Sequence, residues 1–460
     1  MPQSRRDSPS DLPLAALHHP RGGKVALWLT AAFIALLVVC SFWLRRPEVM
    51  ITGETLTYDR ALFLSFNAGT LCGFQQSIGF NDFNAENPQG PAIVLLLTVS
   101  GSLFAMIVGA MAAVRVLRMR YTDGQVILAA IIAELLAILL GTAALITGGA
   151  GLSEAIHQAA CAFGNSGVVI ADAPLSTLIN RNAMSADKEA AGKTGAMPLA
   201  DSPGNTSSDP REHPRRFPGL ATWQAQGVLL PLSILGGLGL PVLMELYDLI
   251  VGARRLSRHS RMVLALAAGV YLAATYALFI SLLPGAATWA GRRWALGAAS
   301  TAAVNARTAG LPFEFLRAFP GPAQWLVVLL MMIGASPAGT GSGLKATTCY
   351  HLFAGIRDAL RGRPVRRTFG IAAVWMGGYV LAAGAGFLAL TATQPQMPAD
   401  RLIFLTISAI SNVGLSHDPI SIVGPGLFLL AALMLFGRLA PLAVLWWMVR
   451  TTNNAEVLVA

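Results

Sequence analysis

The stretch LIFLTISAISNVGLS, residues 402–416, joins an apolar run to a polar tripeptide and a glycine, Gly414. Its apolar part has about ten residues, enough for half of the hydrocarbon layer of a membrane but too few to cross it. Three other stretches have the same design and align with it on a glycine: ALFLSFNAGTLCGF (61–74), EAIHQAACAFGNSGV (154–168) and GAASTAAVNARTAGL (297–311). We interpret the four as re-entrant segments, one in each of four tandem repeats.

The composition of the chain is that of a polytopic membrane protein. Hydrophobic residues make up 54% of the 460 residues and charged residues 12%, and the mean hydropathy is +0.59. These values exclude an ordinary soluble domain. Apolar runs of membrane-spanning length predict about eight crossings, at 25–44, 91–114, 125–149, 224–250, 261–283, 322–356, 370–393 and 425–449.

The formal net charge of +10 comes largely from arginines in the breaks between apolar runs. They cluster in every second break, at 115–120, 254–261 and 357–367. The positive-inside rule places such breaks in the cytoplasm. We therefore expect a multi-pass protein of a bacterial-type cytoplasmic (inner) membrane with both termini in the cytoplasm, and no nucleic-acid partner. No cleavage site follows the first apolar run, so we expect a retained span.

The repeats and crossings together predict the organisation of the chain. Each repeat comprises a helix, a half-helix with its re-entrant loop, and a second helix. Residues 171–220 are rich in Pro, Ser, Asp and Asn, which predicts a disordered external insert in repeat 2. The predicted segments are a cytoplasmic tail at 1–24, pore repeats at 25–117, 124–250, 260–360 and 369–450, and a C-terminal tail at 451–460.

Four re-entrant loops in one chain predict a cation pore. Non-helical backbone at membrane depth is tolerated only inside protein or beside a watery cavity, so we expect the loops to meet around a pseudo-fourfold axis. The half-helices would aim their carbonyl ends, which carry partial negative charge, at that axis. Glycine lets the following backbone turn its carbonyl oxygens toward a dehydrated ion. Ordinary external loops are the alternative, and four copies at equivalent positions argue against them.

A second cluster of glycines, in IGASPAGTGSGLKATT at 333–348, interrupts the sixth crossing. Each glycine weakens a helix by about 1 kcal/mol relative to alanine, and Pro337 by about 3 kcal/mol. The cluster therefore predicts an intramembrane loop at 336–343 that gates the pore below the filter. A phosphate-binding loop is disfavoured, because Leu344 and Ala346 occupy positions that need Lys and Ser or Thr. In GGLGLP at 236–241 we expect close helix packing and a kink at Pro241.

The sequence contains no spacing of residues typical of a catalytic or metal site, so we expect neither an enzyme nor a cofactor. The cysteines lack CxxC spacing and lie in or beside apolar runs, which predicts packing roles: Cys40, Cys72, Cys161 and Cys349. A membrane enzyme would need clustered acids or histidines near a membrane face. A sodium-coupled or sodium-selective transporter is the other alternative, but inverted repeats would run in opposite senses, whereas these four keep one sense.

Three segments resemble motifs of the Trk/Ktr/HKT superfamily of potassium transporters. LSILGGLGLPVLMELYDL (232–249) is similar to that family's GGLGFPV segment. IGASPAGTGSGLKATT is similar to its GGSPGGTGGGIKTTT, and FGRLAPLAV (436–444) to its GRLGPLT. NARTAGL (305–311) and FGNSGV (163–168) resemble the third and second filter motifs. The resemblance extends over nearly the whole chain.

This resemblance implies a homodimer with a potassium pore in each subunit and a cytoplasmic nucleotide-binding ring that regulates it. Glycine at all four filter positions favours potassium, although Leu71, Cys72 and Val168 depart from the residues usual there. The implied filter, which binds K+, comprises Thr70, Leu71, Cys72, Gly73, Gly164, Asn165, Ser166, Gly167, Arg307, Thr308, Ala309, Gly310, Ser411, Asn412, Val413 and Gly414. The implied gate comprises Ser336, Gly339, Thr340, Gly341, Gly343, Lys345 and Arg438.

Backbone oxygens, not side chains, are expected to coordinate the ion. The side chains of Asn165, Thr308 and Asn412 are therefore expected to brace the filter from behind. Arg307 is expected to brace a neighbouring pore helix.

Ionisable residues inside a membrane are functional candidates by default. We expect Lys345 to tether the closed loop or compete with the ion. Arg438 is expected to form a barrier to cations unless a carboxylate or carbonyl shares its charge. Glu134 is expected to pack between repeats, and His157 to cap its half-helix at the external face.

Overall fold

The computed structural model describes residues 22–49, 55–74, 89–168, 224–253, 255–285, 288–307, 311, 319–417 and 422–451. Within these ranges the chain forms fourteen α-helices and no β-strand. The predicted insert at 171–220 and the third filter tripeptide at 308–310 lie outside the described residues, as do most of the predicted tails.

The first two repeats each contain a long helix, a short helix and a second apolar helix. Repeat 1 consists of α1 (Gly22–Trp43), α2 (Tyr58–Gly69) and α3 (Gln89–Val116). Repeat 2 consists of α4 (Asp123–Ile146), α5 (Leu152–Gly164), α6 (Leu230–Leu238) and α7 (Leu240–Ile250).

The last two repeats follow the same order. Repeat 3 consists of α8 (Arg258–Leu282), α9 (Trp289–Asn305), α10 (Gly321–Met332) and α11 (Ala346–Leu360). Repeat 4 consists of α12 (Arg367–Thr393), α13 (Ala399–Ile410) and α14 (Pro425–Thr451). The predicted all-α membrane fold of tandem helix, pore-loop, helix repeats is confirmed.

Six helices of the described part are long and apolar enough to cross a membrane: α1, α3, α4, α8, α12 and α14. The other two predicted crossings are broken. In repeat 2, α6 and α7 meet at 102°. In repeat 3, α10 and α11 are separated by residues 333–345, which we call the intramembrane loop. The eight expected crossings therefore correspond to six continuous helices and two interrupted ones.

The bend in repeat 2 lies at Gly239, which corrects the expectation of a kink at Pro241. Gly239 has a φ of 88°, a conformation that glycine adopts readily and residues with a side chain do not. Pro241 lies in the first turn of α7, where its missing N–H costs no intrahelical hydrogen bond. Proline thus starts the second segment, and glycine makes the turn.

The short helices lie in the interior even though they carry polar residues. Ser65 and Asn67 of α2 are fully buried, and so are Ala159 and Ala160 of α5. The long helices instead expose large apolar side chains on their outer faces, which is the surface that a bilayer covers. In the described part of the chain, the short helices are therefore surrounded by protein.

Candidate ion pathway

Three of the short helices end in the same left-handed turn. Leu71, Asn165 and Asn412 have φ values of 61°, 56° and 49°, and each lies two residues before the glycine on which its repeat aligns. The N–H of the following residue then donates to the carbonyl five positions back, over 3.0 Å, 2.8 Å and 3.0 Å respectively. This is the Schellman pattern of helix termination, and it turns the chain out of each helix at an equivalent point.

The backbone beyond these turns forms what we call the filter segments, residues 70–73, 164–167 and 411–414. Gly73 and Gly414 have φ values of 84° and 80°. A Cβ on Gly73 would overlap the backbone nitrogen of Gly167, and one on Gly414 would overlap the carbonyl oxygen of Cys72. At Gly73 and Gly414 the segments therefore approach each other backbone to backbone, with no room for a side chain. All of their residues are buried.

A second set of glycines lies where the long helices cross the short ones. Gly101 of α3, Gly236 of α6 and Gly437 of α14 each leave no room for a Cβ, because a carbonyl oxygen occupies that space. The three oxygens belong to Gly69, Phe163 and Ile410, each four residues before its filter glycine. These contacts fix the carbonyl end of each short helix. The signal in the sequence is a glycine in the middle of an apolar run. Close packing is expected from the sequence at Gly236, within GGLGLP, but not at Gly101 or Gly437.

Asparagine side chains inside two short helices clamp the chain beyond the filter, and sequence reasoning missed both. Asn67 donates to the carbonyl of Phe74 and accepts from its N–H, both over 2.8 Å. Asn305 does the same for Leu311, over 2.5 Å and 2.6 Å. Each side chain thus supplies the hydrogen-bond partners that the backbone after the short helix would otherwise lack. In repeat 2 the thiol of Cys161 donates to the carbonyl of Val168 over 2.7 Å.

The intramembrane loop docks against the break in repeat 2. The N–H groups of Ser336 and Thr340 donate to the carbonyls of Gly237 and Gly236, over 3.1 Å and 3.0 Å. In return the N–H of Leu240 donates to the carbonyl of Ala338 over 3.2 Å. The breaks in repeats 2 and 3 therefore satisfy each other's backbone groups, which resolves the cost of unpaired backbone at membrane depth.

Arg438 joins the loop to the first filter segment. Its side chain is buried and donates to the carbonyl of Thr70 over 2.9 Å and 2.5 Å, and to that of Thr340 over 2.6 Å. The Lys345 ammonium donates to the carbonyl of Gly341 over 2.9 Å. Neither cation pairs with a carboxylate in the described part of the chain. Carbonyl oxygens thus share the charge of Arg438. Under this condition Arg438 is not expected to form an electrostatic barrier to cations.

Two asparagines at the filter turns also contact neighbouring elements. Asn165 donates to the hydroxyl of Thr340 over 2.6 Å and accepts from Ser233 over 2.5 Å. Asn412 donates to the carbonyl of Thr70 over 2.9 Å. Asn165 therefore contacts the intramembrane loop, and Asn412 contacts the backbone of the first filter segment. These contacts agree with the bracing role expected for the two side chains. The predicted partner in the third repeat, Thr308, lies outside the described residues together with Ala309 and Gly310.

Comparison with known proteins agrees with this geometry. No family model matches the chain. A stretch of 172 residues is 30% identical to the Ktr system potassium uptake protein B of Vibrio alginolyticus, covering 35% of this chain and 37% of that relative. The crystal structure of the potassium transporter TrkH from Vibrio parahaemolyticus superposes with a TM-score of 0.66 over 92% of this chain and 84% of that one, at 16% identity.

The chain therefore shares the fold of TrkH, because the structural match covers nearly all of it. The expected resemblance to Trk and Ktr proteins is confirmed at the level of the fold. The matched sequence covers only a little over a third of the curated relative.

Two other predicted side chains lie behind the filter segments. Glu134 of α4 accepts from the hydroxyl of Ser102 on α3 over 2.5 Å, so it joins two repeats as expected. The ring nitrogens of His157 lie 2.8 Å from the carbonyl of Ser153 and 3.0 Å from that of Pro91. His157 thus ties the second turn of α5 to the start of α3. It does not cap the helix as expected, because the N-cap is Gly151.

Proposed function

We propose that the chain is the pore subunit of a potassium uptake system. The observation that carries the proposal is the close backbone approach of three filter segments at Gly73 and Gly414, at the carbonyl ends of three buried short helices. The carbonyl end of a helix favours a cation, and rings of backbone carbonyls are what select potassium in known filters. The 30% identity to a protein named for potassium uptake supports the same ion.

In this proposal the filter segments replace the water shell of the ion, and the surrounding contacts keep them rigid. The clamps from Asn67 and Asn305 and the glycine contacts of Gly101, Gly236 and Gly437 hold each segment from its own repeat. Gly73 and Gly414 leave no side chain between the segments where their backbones meet. Transport is then driven by the membrane potential or by a coupled ion.

The intramembrane loop is the gate in this proposal. It blocks the path below the filter and is held by a small number of hydrogen bonds to α6 and α14. A net hydrogen bond contributes about 0.5–1.5 kcal/mol, so loss of two or three would shift a closed loop to an open one. Lys345 and Arg438 belong to the gate, because they donate to the loop carbonyls of Gly341 and Thr340 and so hold the loop in the closed state.

The assembly that fits this function is a homodimer in a bacterial inner membrane with a cytoplasmic nucleotide-binding ring. The curated relative is named as protein B of a system, which implies other components of that system. The arginine-rich stretch at 357–367 runs from the end of α11 to the start of α12 and is largely exposed, where it would transmit movement of a docked ring to the intramembrane loop.

Growth of a potassium-uptake-deficient bacterium tests the proposal. Cells that carry the native chain should grow at low external potassium and take up rubidium. Cells that carry the Gly414→Ala variant should do neither, provided that immunoblots show equal amounts of both proteins in the membrane. Rescue by the variant, or no rescue by the native chain with or without a co-expressed regulatory ring, would count against a potassium pore.

A further inference from the structure

A cavity of about 250 Å³ lies between α6, α8 and α9 and reaches the start of the intramembrane loop. We call it the side cavity. Most of its wall is aliphatic, from Ile234, Leu238, Leu264 and Ala267. Ile234 is 41% exposed on the outer surface of the helices, so the mouth of the cavity opens toward the hydrocarbon of the bilayer. A ligand would enter from the membrane.

The inner wall of the side cavity carries one cation. Arg307 follows the end of α9 and is 8% exposed. It donates to the carbonyls of Ile333 and Gly334, both over 3.4 Å, which is long compared with the usual 2.9–3.0 Å. No carboxylate of the described residues pairs with it. Within the described residues this buried guanidinium makes two long bonds to carbonyls, and it favours an anionic ligand because an unpaired charge in low dielectric is costly.

We propose that the side cavity binds a long-chain fatty acid from the bilayer, with its carboxylate on Arg307 and its chain along α6 and α8. The cavity volume is below the 300–1,000 Å³ of pockets for drug-sized ligands, so it holds the carboxylate and the first part of one acyl chain, and the rest of the chain extends through the mouth into the bilayer. A phospholipid does not fit a cavity of this volume, because it has two acyl chains and a headgroup much larger than a carboxylate. Planar guanidinium and carboxylate groups pair in a bidentate manner.

Binding at this place would act on the intramembrane loop, and this step depends on the gating role proposed above. The two carbonyls that accept from Arg307 belong to the first residues of the loop, and Ser336, two residues on, lines the cavity and bonds to α6. A carboxylate that takes over the Arg307 donors releases those carbonyls. The closed loop then loses contacts, and flux rises.

A photoreactive fatty acid with a diazirine in its chain tests the binding site directly. We expect cross-links on α6 and on 264–271 of α8, competed by oleate and not by methyl oleate, which lacks the charge. Ala267→Phe fills the cavity and should abolish these cross-links. Ala273→Phe is the matched control, since Ala273 is exposed on the same helix and does not line the cavity. Cross-links that persist in Ala267→Phe, or that methyl oleate competes equally, would overturn the site.

Rubidium flux into proteoliposomes tests the effect on the gate. Oleate should raise the flux about threefold in the native protein and in Ala273→Phe, the size expected when one net hydrogen bond is lost from the closed loop. It should leave Ala267→Phe unchanged. An equal response of both variants to oleate would indicate a bilayer effect and overturn the proposal. Specific cross-linking without any change in flux would overturn the proposed effect of the fatty acid on the gate. If the native protein carries no rubidium at all, the pore proposal fails, and the cross-linking result still decides the site.

Discussion

The filter segments and the intramembrane loop are both non-helical backbone inside the membrane, but they are held in different ways. The filter segments have anchors within their own repeats, such as the clamp of Asn67 on Phe74 and the contact of Gly101 with Gly69, in addition to contacts from other repeats. The middle of the intramembrane loop is instead held by other repeats, through the carbonyls of α6 and the side chain of Arg438. Local contacts make a rigid structure, whereas contacts between repeats can be exchanged when helices move. The difference predicts opposite outcomes for mutations in the two regions.

The largest effect is expected from Gly414→Ala in the filter. Alanine at a φ of 80° is strained by about 1–2 kcal/mol, and its Cβ would also overlap the carbonyl oxygen of Cys72. Rubidium flux should fall to background. Gly252→Ala is the control, because Gly252 has a similar φ of 76° and open space around it. Equal losses of flux in the two variants would mean that backbone strain at positive φ, rather than overlap with the neighbouring filter segment, causes the effect.

A nearly equal loss is expected from Gly101→Ala, which acts on the filter from behind. The new methyl group would overlap the carbonyl of Gly69 and displace the end of α2. Overpacking of this kind costs about 1–3 kcal/mol, so both flux and the thermal unfolding temperature should fall. Gly124→Ala, in a helix with nothing within 4 Å, should leave both unchanged. Full flux in Gly101→Ala would show that the helix end tolerates displacement.

Arg438→Gln should have the opposite effect, a gain in flux. Glutamine is too short to reach both Thr70 and Thr340, so the link between filter and loop is lost. We expect rubidium flux to rise about tenfold or less, as for a loss of up to about 1.4 kcal/mol from the closed state. Arg120→Gln, at an exposed position, is the control. A fall in flux would place Arg438 in the conducting structure rather than in the gate.

The smallest effect is expected from Thr340→Val, which removes one hydroxyl from the loop. That hydroxyl accepts from Asn165 over 2.6 Å and donates to the carbonyl of Phe163 over 3.1 Å. A net loss of about 0.5–1.5 kcal/mol should raise flux a few-fold. Thr391→Val is the matched control, because Thr391 is exposed and bonds only within α12. Indistinguishable flux in the two variants would remove this hydroxyl from the account of the gate.

Much of the architecture can be predicted from the sequence, because it depends on the repeat pattern and on local amino-acid composition. The four short apolar runs that end in glycine predicted α2, α5, α9 and α13, and all four are helices that end before that glycine. The cluster of glycines with Pro337 predicted a break at 336–343, and helix is absent there from 333 to 345. Intrinsic helix propensity decides such positions, because few other contacts stabilise a helix rich in glycine.

The contacts that hold the site could not be predicted in the same way. Arg438 donates to Thr70, which is 368 residues away in the sequence, and no local pattern indicates such a partner. The bend at Gly239 was attributed to Pro241, because proline is the usual cause of a kink, yet a φ of 88° makes the turn. Asn67 and Asn305 were missed although each lies one to two turns before its filter glycine. Counting donors for the re-entrant backbone would have identified them.

The most direct test of the account is rubidium uptake by proteoliposomes that contain the purified native chain under an inside-negative potential. External potassium should compete with rubidium, and equimolar sodium should not, since the backbone carbonyls of the filter are proposed to fit the larger ion. Deletion of Gly339 to Gly343 should increase uptake and keep this selectivity. Equal competition by sodium and potassium, or uptake that is unaffected by Gly414→Ala, would contradict a potassium filter formed by the converging segments.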